Sequence, residues 1–304
     1  MRTVFLGTSS FAAAVLERLA ASEYRPALVL TRPDRPRGRG RRLGAPPVAD
    51  VARELKIEVE QPASVNALSA RALIARTQPD VAIVCAFGAL IKEPLLSEHE
   101  LLNVHPSLLP RWRGAAPVER AIMAGDAQTG VSIMRLTAGL DSGPVCLAEA
   151  IPIDPHDSYG SLAERLQSLG GELIVRVLDL TARGEPPPFV EQGEAGVTYA
   201  EKIVPEDRLL DPARSAEELE RIVRALHPHI GARLQRAGGG LLSVHTARVA
   251  VDPPVHAPPV GGLAAADGER LLYGTARGAL ELVRVQPPGG RPMDAGAYLR
   301  GHAL

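Results

Sequence analysis

Apolar and polar positions along the first half of the chain follow two periods in turn, and the switches between them mark out the elements. Thr3–Leu6, Ala27–Leu30 and Val81–Ala86 are short apolar runs and read as strands. Between them, apolar residues recur at helical spacing over about Phe11–Ala21, Val48–Lys56 and Ala67–Arg76. That alternation predicts a mostly parallel sheet with helices on both faces. Leu101–Val104 reads as a further buried strand, with polar residues beginning where the apolar run ends. Pro117 opens a helix at its favoured first position and Gly125 closes it, and Val131–Leu136 and Val145–Ile153 read as strands. A longer helix is predicted from about Ser158 to Ala182, where Leu162, Leu166, Leu169, Leu173, Val177 and Leu178 form one stripe that packs back onto the sheet.

After that stripe the pattern breaks. Gly184–Gly196 holds three consecutive prolines among glycines and acidic residues, the composition of a linker. The expected division is therefore a first domain over 1–183, a linker over 184–205 and a second domain over 206–304. In the second, Ser215 and Glu218 form an S-x-x-E capping box ahead of Leu219, Ile222, Val223 and Leu226, and Pro228 stops the helix. Leu241–His245, Ala247–Val251, Leu271–Gly274 and Leu280–Val285 are candidate strands divided by Gly and Pro, which suggests a small β-barrel.

Composition sharpens this picture in three places. With 304 residues and 45% hydrophobic content, the chain can bury two cores. No apolar run approaches the length of a membrane span and no signal peptide is read, so a cytoplasmic chain without membrane partners is expected. Cys85 and Cys146 lie inside apolar runs and no histidines show ligand spacing, so buried thiols, no disulfide framework and no metal are expected. The formal net charge of −1 hides two basic excesses: residues 32–42 hold six Arg against one Asp, and residues 221–304 hold ten Arg against five acidic residues. Positive charge is placed rather than spread, as in a chain that meets phosphates.

The candidate chemistry lies in Asn103-Val104-His105-Pro106-Ser107-Leu108-Leu109-Pro110 and in Gly139-Leu140-Asp141-Ser142-Gly143. On an extended segment Asn103 and His105 face the same side, and Pro106 favours that conformation at His105. Taken singly, the first stretch is compatible with an X-Pro turn and the second with a turn whose Asp bonds its own backbone. Taken together they offer an amide, an imidazole and a carboxylate, the groups that acyl transfer to an amine requires: donors for a tetrahedral oxyanion and a relay for the amine proton. Gly7-Thr8-Ser9-Ser10-Phe11 follows the first strand but lacks the glycines of the dinucleotide fingerprint, so no NAD is expected.

These stretches, with Arg32-Pro-Asp-Arg-Pro-Arg-Gly-Arg-Gly-Arg-Arg-Leu43, Arg111-Trp-Arg-Gly-Ala-Ala-Pro117 and Thr198-Tyr-Ala-Glu-Lys202, resemble the signature of the formyltransferases that use 10-formyltetrahydrofolate. The resemblance covers nearly the whole chain. It implies an α/β fold with a Rossmann-like, mostly parallel N-terminal domain, a linker and a small OB-like C-terminal β-barrel. It implies a catalytic set of Asn103, His105 and Asp141. It also implies a folate pocket drawn from Phe87, Gly88, Leu90, Ser107, Leu108, Leu109, Pro110 and Asp141. By the same resemblance the formyl donor is 10-formyltetrahydrofolate. The acceptor is the α-amino group of methionine on a charged initiator tRNA, met by Arg37, Arg39, Arg41 and Arg42 in a basic loop and by C-terminal arginines including Arg221, Arg224, Arg233 and Arg236. A monomer is expected. The alternatives are an amino-sugar nucleotide as acceptor, in relatives without the Arg-Gly loop, and a non-catalytic RNA-binding module. His227-Pro228-His229 departs from the aromatic-rich segment common in the family.

Overall fold

The structure is a computed structural model that describes residues 1–37, 42–236, 239–251, 258–302 and 304. The chain forms two compact units, one of Met1–Pro117, Gln128–Pro152 and Ala163–Ala200, the other of Val118–Ala127, Ile153–Leu162 and Glu201–Leu304.

The first unit is built on a seven-stranded sheet in the order Val145–Pro152, Gln128–Arg135, Leu101–His105, Val81–Cys85, Thr3–Gly7, Leu28–Leu30, Glu58–Glu60. The five strands from Leu101–His105 to Glu58–Glu60 are parallel, and the remaining two join antiparallel. Thr3–Gly7, Val81–Cys85 and Leu101–His105 are buried at every position, which is why they read as continuous apolar runs rather than alternating ones. Glu58–Glu60 escaped the sequence reading because it is a partly exposed edge strand with one apolar residue, Val59. Where a dinucleotide fold would carry its glycines, Ser9 caps the helix Ser10–Ala20 with its own hydroxyl, which accepts from the Ala12 N–H at 3.3 Å.

Two expectations change here. The basic segment is not simply a loop: Arg35–Arg37 and Arg42–Gly44 pair antiparallel, with Arg37 opposite Arg42. Arg39 and Arg41 lie outside the described residues. The segment 184–200 does not run free as a linker. Val190 bridges Val145, and Tyr199–Ala200 pairs in parallel with Arg113–Gly114.

In the second unit Ser215 and Glu218 form the capping box of the helix Ala216–Leu226, whose buried face joins one hydrophobic core with Leu234, Leu242, Leu271, Leu280 and Tyr298. The strands are antiparallel, in the order Ala232–Gln235, Leu241–Val249, Ala279–Gln286, Arg270–Gly274, Leu263–Ala266, with Met293–Asp294 added to Ala279–Gln286. The barrel expected here takes the form of this open ladder among the described residues. Leu241–Val249, read as two strands, is one. Its register shifts at Thr246, where a bulge flips the parity of the buried positions and interrupts the alternation. At the departure from the family pattern, His229 stacks on Tyr159 at 3.6 Å and pairs with Glu119 at 2.9 Å, so an aromatic contact is made by a histidine.

Candidate active site

Asn103 and His105 lie inside the strand Leu101–His105, one residue longer than the apolar run indicates, and are 8% and 4% exposed. Asp141 reaches them by a route the sequence does not reveal. The strand Gln128–Arg135 runs antiparallel, Arg135 lies opposite Leu102, and the Leu136 N–H donates to the Leu101 carbonyl at 2.9 Å. The loop therefore leaves the sheet at the far end of the strand from His105 and doubles back over the face that carries both side chains. Gly143 allows that return. A Cβ there would stand 2.0 Å from the Arg135 carbonyl oxygen, far inside contact distance.

Donors converge on the Asp141 carboxylate. Asn103 Nδ2 donates to Oδ1 at 3.4 Å and the Gly114 N–H donates to Oδ2 at 2.9 Å, while His105 Nδ1 stands 3.7 Å from Oδ2, ion-pair range but longer than a hydrogen bond. The other edge of the imidazole is committed. Its Nε2 lies 2.9 Å from the Trp112 carbonyl oxygen, which can only accept, so Nε2 carries the hydrogen and Nδ1 is the nitrogen left facing the carboxylate. Asp141 and Trp112 hold backbone φ of 42° and 63°, left-handed conformations that cost about 1–3 kcal/mol each for residues with side chains.

The residues expected to line a folate pocket divide. Gly88 and Leu90 are exposed, Leu90 at 66%, beyond the strand Val81–Cys85, which pairs in parallel with Leu101–His105. Leu108, Leu109 and Pro110 are half-buried directly after the trio's strand. Phe87 is buried in the core against the sheet. Ser107 is buried as well, its hydroxyl donating to the Arg111 carbonyl at 2.6 Å and its own carbonyl accepting from Ser132 Oγ at 2.8 Å. Those bonds shape the loop that follows His105. Of the C-terminal arginines, Arg221 donates to the Met123 carbonyl, and Arg224 bonds the Glu220 carboxylate and the Asp157 carbonyl, so both are engaged within their own unit.

Sequence reading missed the contacts that hold the trio: the Trp112 carbonyl, the Gly114 N–H, and the side chains of Gln192 and Thr198. The signals near them are the stretches Arg111-Trp-Arg-Gly-Ala-Ala-Pro117, which holds Trp112 and Gly114, and Thr198-Tyr-Ala-Glu-Lys202, which holds Thr198. Fold and site define a class, an α/β enzyme suited to acyl-group transfer. Comparison with known proteins narrows it. The formyl transferase family model matches residues 1–178, and the model of the formyl transferase C-terminal domain matches residues 202–303. The chain is 42% identical over 305 residues to the methionyl-tRNA formyltransferase of Halorhodospira halophila, covering 100% of this chain and 97% of that one. Among solved structures, an N-formyltransferase from Helicobacter canadensis in complex with folinic acid and dTDP-3-aminofucose matches with a TM-score of 0.68 at 14% identity, over 92% of this chain and 98% of that one. A HypX variant from Aquifex aeolicus matches with a TM-score of 0.69 at 19% identity, over 100% of this chain, which spans only 48% of HypX. The chain belongs to the formyl transferase family.

Proposed function

We propose that this chain transfers the formyl group of 10-formyltetrahydrofolate to the α-amino group of methionine esterified to initiator tRNA, giving N-formylmethionyl-tRNA. What carries the proposal is the convergence of Asn103, His105 and Asp141 at 3.4 and 3.7 Å in a chain that aligns end to end with a methionyl-tRNA formyltransferase at 42% identity. The two relatives of known structure support the fold alone at their identities.

The donor set fits a folate-borne formyl group. The Asn103 amide is a donor for the oxyanion that develops as the amine adds to the formyl carbon, and the His105 imidazole becomes a second once Nδ1 has taken a proton, its Nε2 hydrogen being held by the Trp112 carbonyl. Asp141 takes the amine proton directly or through the imidazole, and that proton is matched by one delivered to N10 of the folate as its bond to the formyl carbon breaks. The chemistry requires neither NAD nor a metal. Leu108, Leu109 and Pro110 supply the apolar wall for the pterin. The basic segment that carries Arg37, Arg39, Arg41 and Arg42 meets the phosphates of the tRNA, so affinity falls as salt rises. The reaction belongs to the cytosol, where charged tRNA is found; among the described residues no helix is long and apolar enough to cross a membrane.

The test is formyl transfer from 10-formyltetrahydrofolate to methionine-charged initiator tRNA, run beside uncharged tRNA, free methionine and an amino-sugar nucleotide. Product with the charged tRNA alone is the expected result. Formylation of the sugar instead would replace the acceptor, and no product with any acceptor would sink the reading.

A further inference from the structure

We propose that the segment from Val190 to Ala200 is a strap that positions the trio, acting through Gln192 and Thr198. The proposal rests on the acyl-transfer reading of the trio. Two of the residues that build the site, Trp112 and Asp141, stand in left-handed backbone conformations that persist only where the surroundings over-determine them. A strap side chain holds each of them. The Trp112 N–H donates to Thr198 Oγ1 at 2.9 Å, which leaves the Trp112 carbonyl aimed at His105 Nε2. Gln192 Nε2 donates to the Asp141 carbonyl at 2.9 Å and to the Gly143 carbonyl at 2.7 Å, tying down the return of the Asp141 loop on both sides of Ser142.

The Gln192 amide is fully used. Its two hydrogens go to those carbonyls, and its oxygen accepts from Arg113 Nε at 3.0 Å. That pattern fixes its orientation, because a reversed amide would turn its oxygen toward two carbonyls and its hydrogens toward a guanidinium. The strap's backbone seats the third contact. Gly114 has φ +123°, and a Cβ on it would lie 2.7 Å from the Ala200 carbonyl oxygen, so only glycine lets Arg113–Gly114 pair with Tyr199–Ala200 and present its N–H to Asp141. Gln192 and Thr198 each act through another residue, one on Asp141 and the other on His105 by way of Trp112. They are positioning residues.

The experiment measures kcat and KM for 10-formyltetrahydrofolate and methionine-charged initiator tRNA in full-length variants, with thermal midpoints recorded alongside. Gln192→Met and Thr198→Val are each expected to lower kcat about 10- to 100-fold while both KM values stay within about two-fold of wild type. Gln192→Glu can still accept from Arg113 but offers no hydrogen to the two carbonyls, so it should fall as far as Gln192→Met. Thr198→Ser keeps the acceptor and should recover most of the rate. In an Asp141→Asn background, Gln192→Met should cost no more than about two-fold further, because its effect runs through Asp141. The proposal is overturned by unchanged kcat in Gln192→Met and Thr198→Val, by losses confined to KM, by full activity in Gln192→Glu, or by losses that multiply in the double variant. If Gln192→Met does not fold, the Thr198 pair decides alone. Wild-type protein inactive with charged tRNA would overturn the functional reading instead, a result seen before any variant is made.

Discussion

Asp141 in the first unit and Glu281 in the second are both largely buried carboxylates surrounded by donors, and the kind of donor separates them. Glu281, 6% exposed, is gripped by two permanent cations: Arg248 donates to Oε1 at 2.7 Å and Arg270 to Oε2 at 3.0 and 3.2 Å. Burial pushes its carboxyl up, but the hydrogen bonds and charge of the two guanidiniums outweigh burial and hold it below the ordinary carboxylate range. Asp141 meets a side-chain amide, a backbone N–H and an imidazole, and among the described residues no guanidinium pairs with it. A charge locked by arginines serves the fold. A carboxylate held by an amide, a backbone N–H and an imidazole keeps its place without a cation fixed to it.

The largest effect expected from this contrast is on rate. Asp141→Asn keeps the size of the side chain and removes its charge, and should lower kcat about 1,000-fold, within the range of a lost general base, while the thermal midpoint stays within a few degrees of wild type. Formyl transfer with charged initiator tRNA, measured beside thermal unfolding, checks both halves. Full activity would remove Asp141 from the chemistry and erase its contrast with Glu281.

How far the sequence reveals this site follows from what is local. Asn103 and His105 share a strand, so their common face is readable from a period of two, and the parallel core strands are readable because burial on both faces makes them uniformly apolar. The capping box at Ser215 and Glu218 is local too, and the structure contains it. Gln192 is different. It lies 51 residues from Asp141, in a stretch whose prolines and glycines read as a linker, and a contact between one amide and two distant carbonyls leaves no periodic trace. The two-residue pairing of Arg113–Gly114 with Tyr199–Ala200 is too short to show any period. The bulge at Thr246 hid continuity for a related reason, since a pattern of period two cannot be followed through a change of parity.

A smaller effect, on stability rather than rate, is expected at Glu281. Glu281→Gln leaves two arginines facing a neutral amide and should lower the unfolding free energy by about 2 kcal/mol, the scale of hydrogen bonds to a charged group, with formyl transfer at moderate temperature unchanged. Urea unfolding followed alongside activity tests this. The dependence on pH has a fixed sign. Because the folded-state carboxyl of Glu281 lies below its ordinary value of 4.5, its stabilisation is present above that value and is lost as pH falls through the lower folded one. The gap in stability between wild type and Glu281→Gln should therefore be constant from about pH 6 to 8 and close in acid below the ordinary carboxylate range. A gap that widened in acid would contradict the pairing.

The smallest effect separates the two arginines. The Arg248 side chain is 66% exposed and Arg270 only 27%, and Arg270 alone makes two hydrogen bonds to Glu281. Water and salt screen the first pair, so Arg248→Ala should cost about 0.5 kcal/mol, a loss that shrinks in about 1 M salt. Arg270→Ala should cost roughly twice as much and respond less to salt. Urea unfolding at low and high salt reads both. Equal costs would mean that either guanidinium suffices to keep Glu281 charged. Unequal costs would place the lock on the less exposed arginine, whose shielding from water makes Glu281 a fixed anion and sets it apart from Asp141.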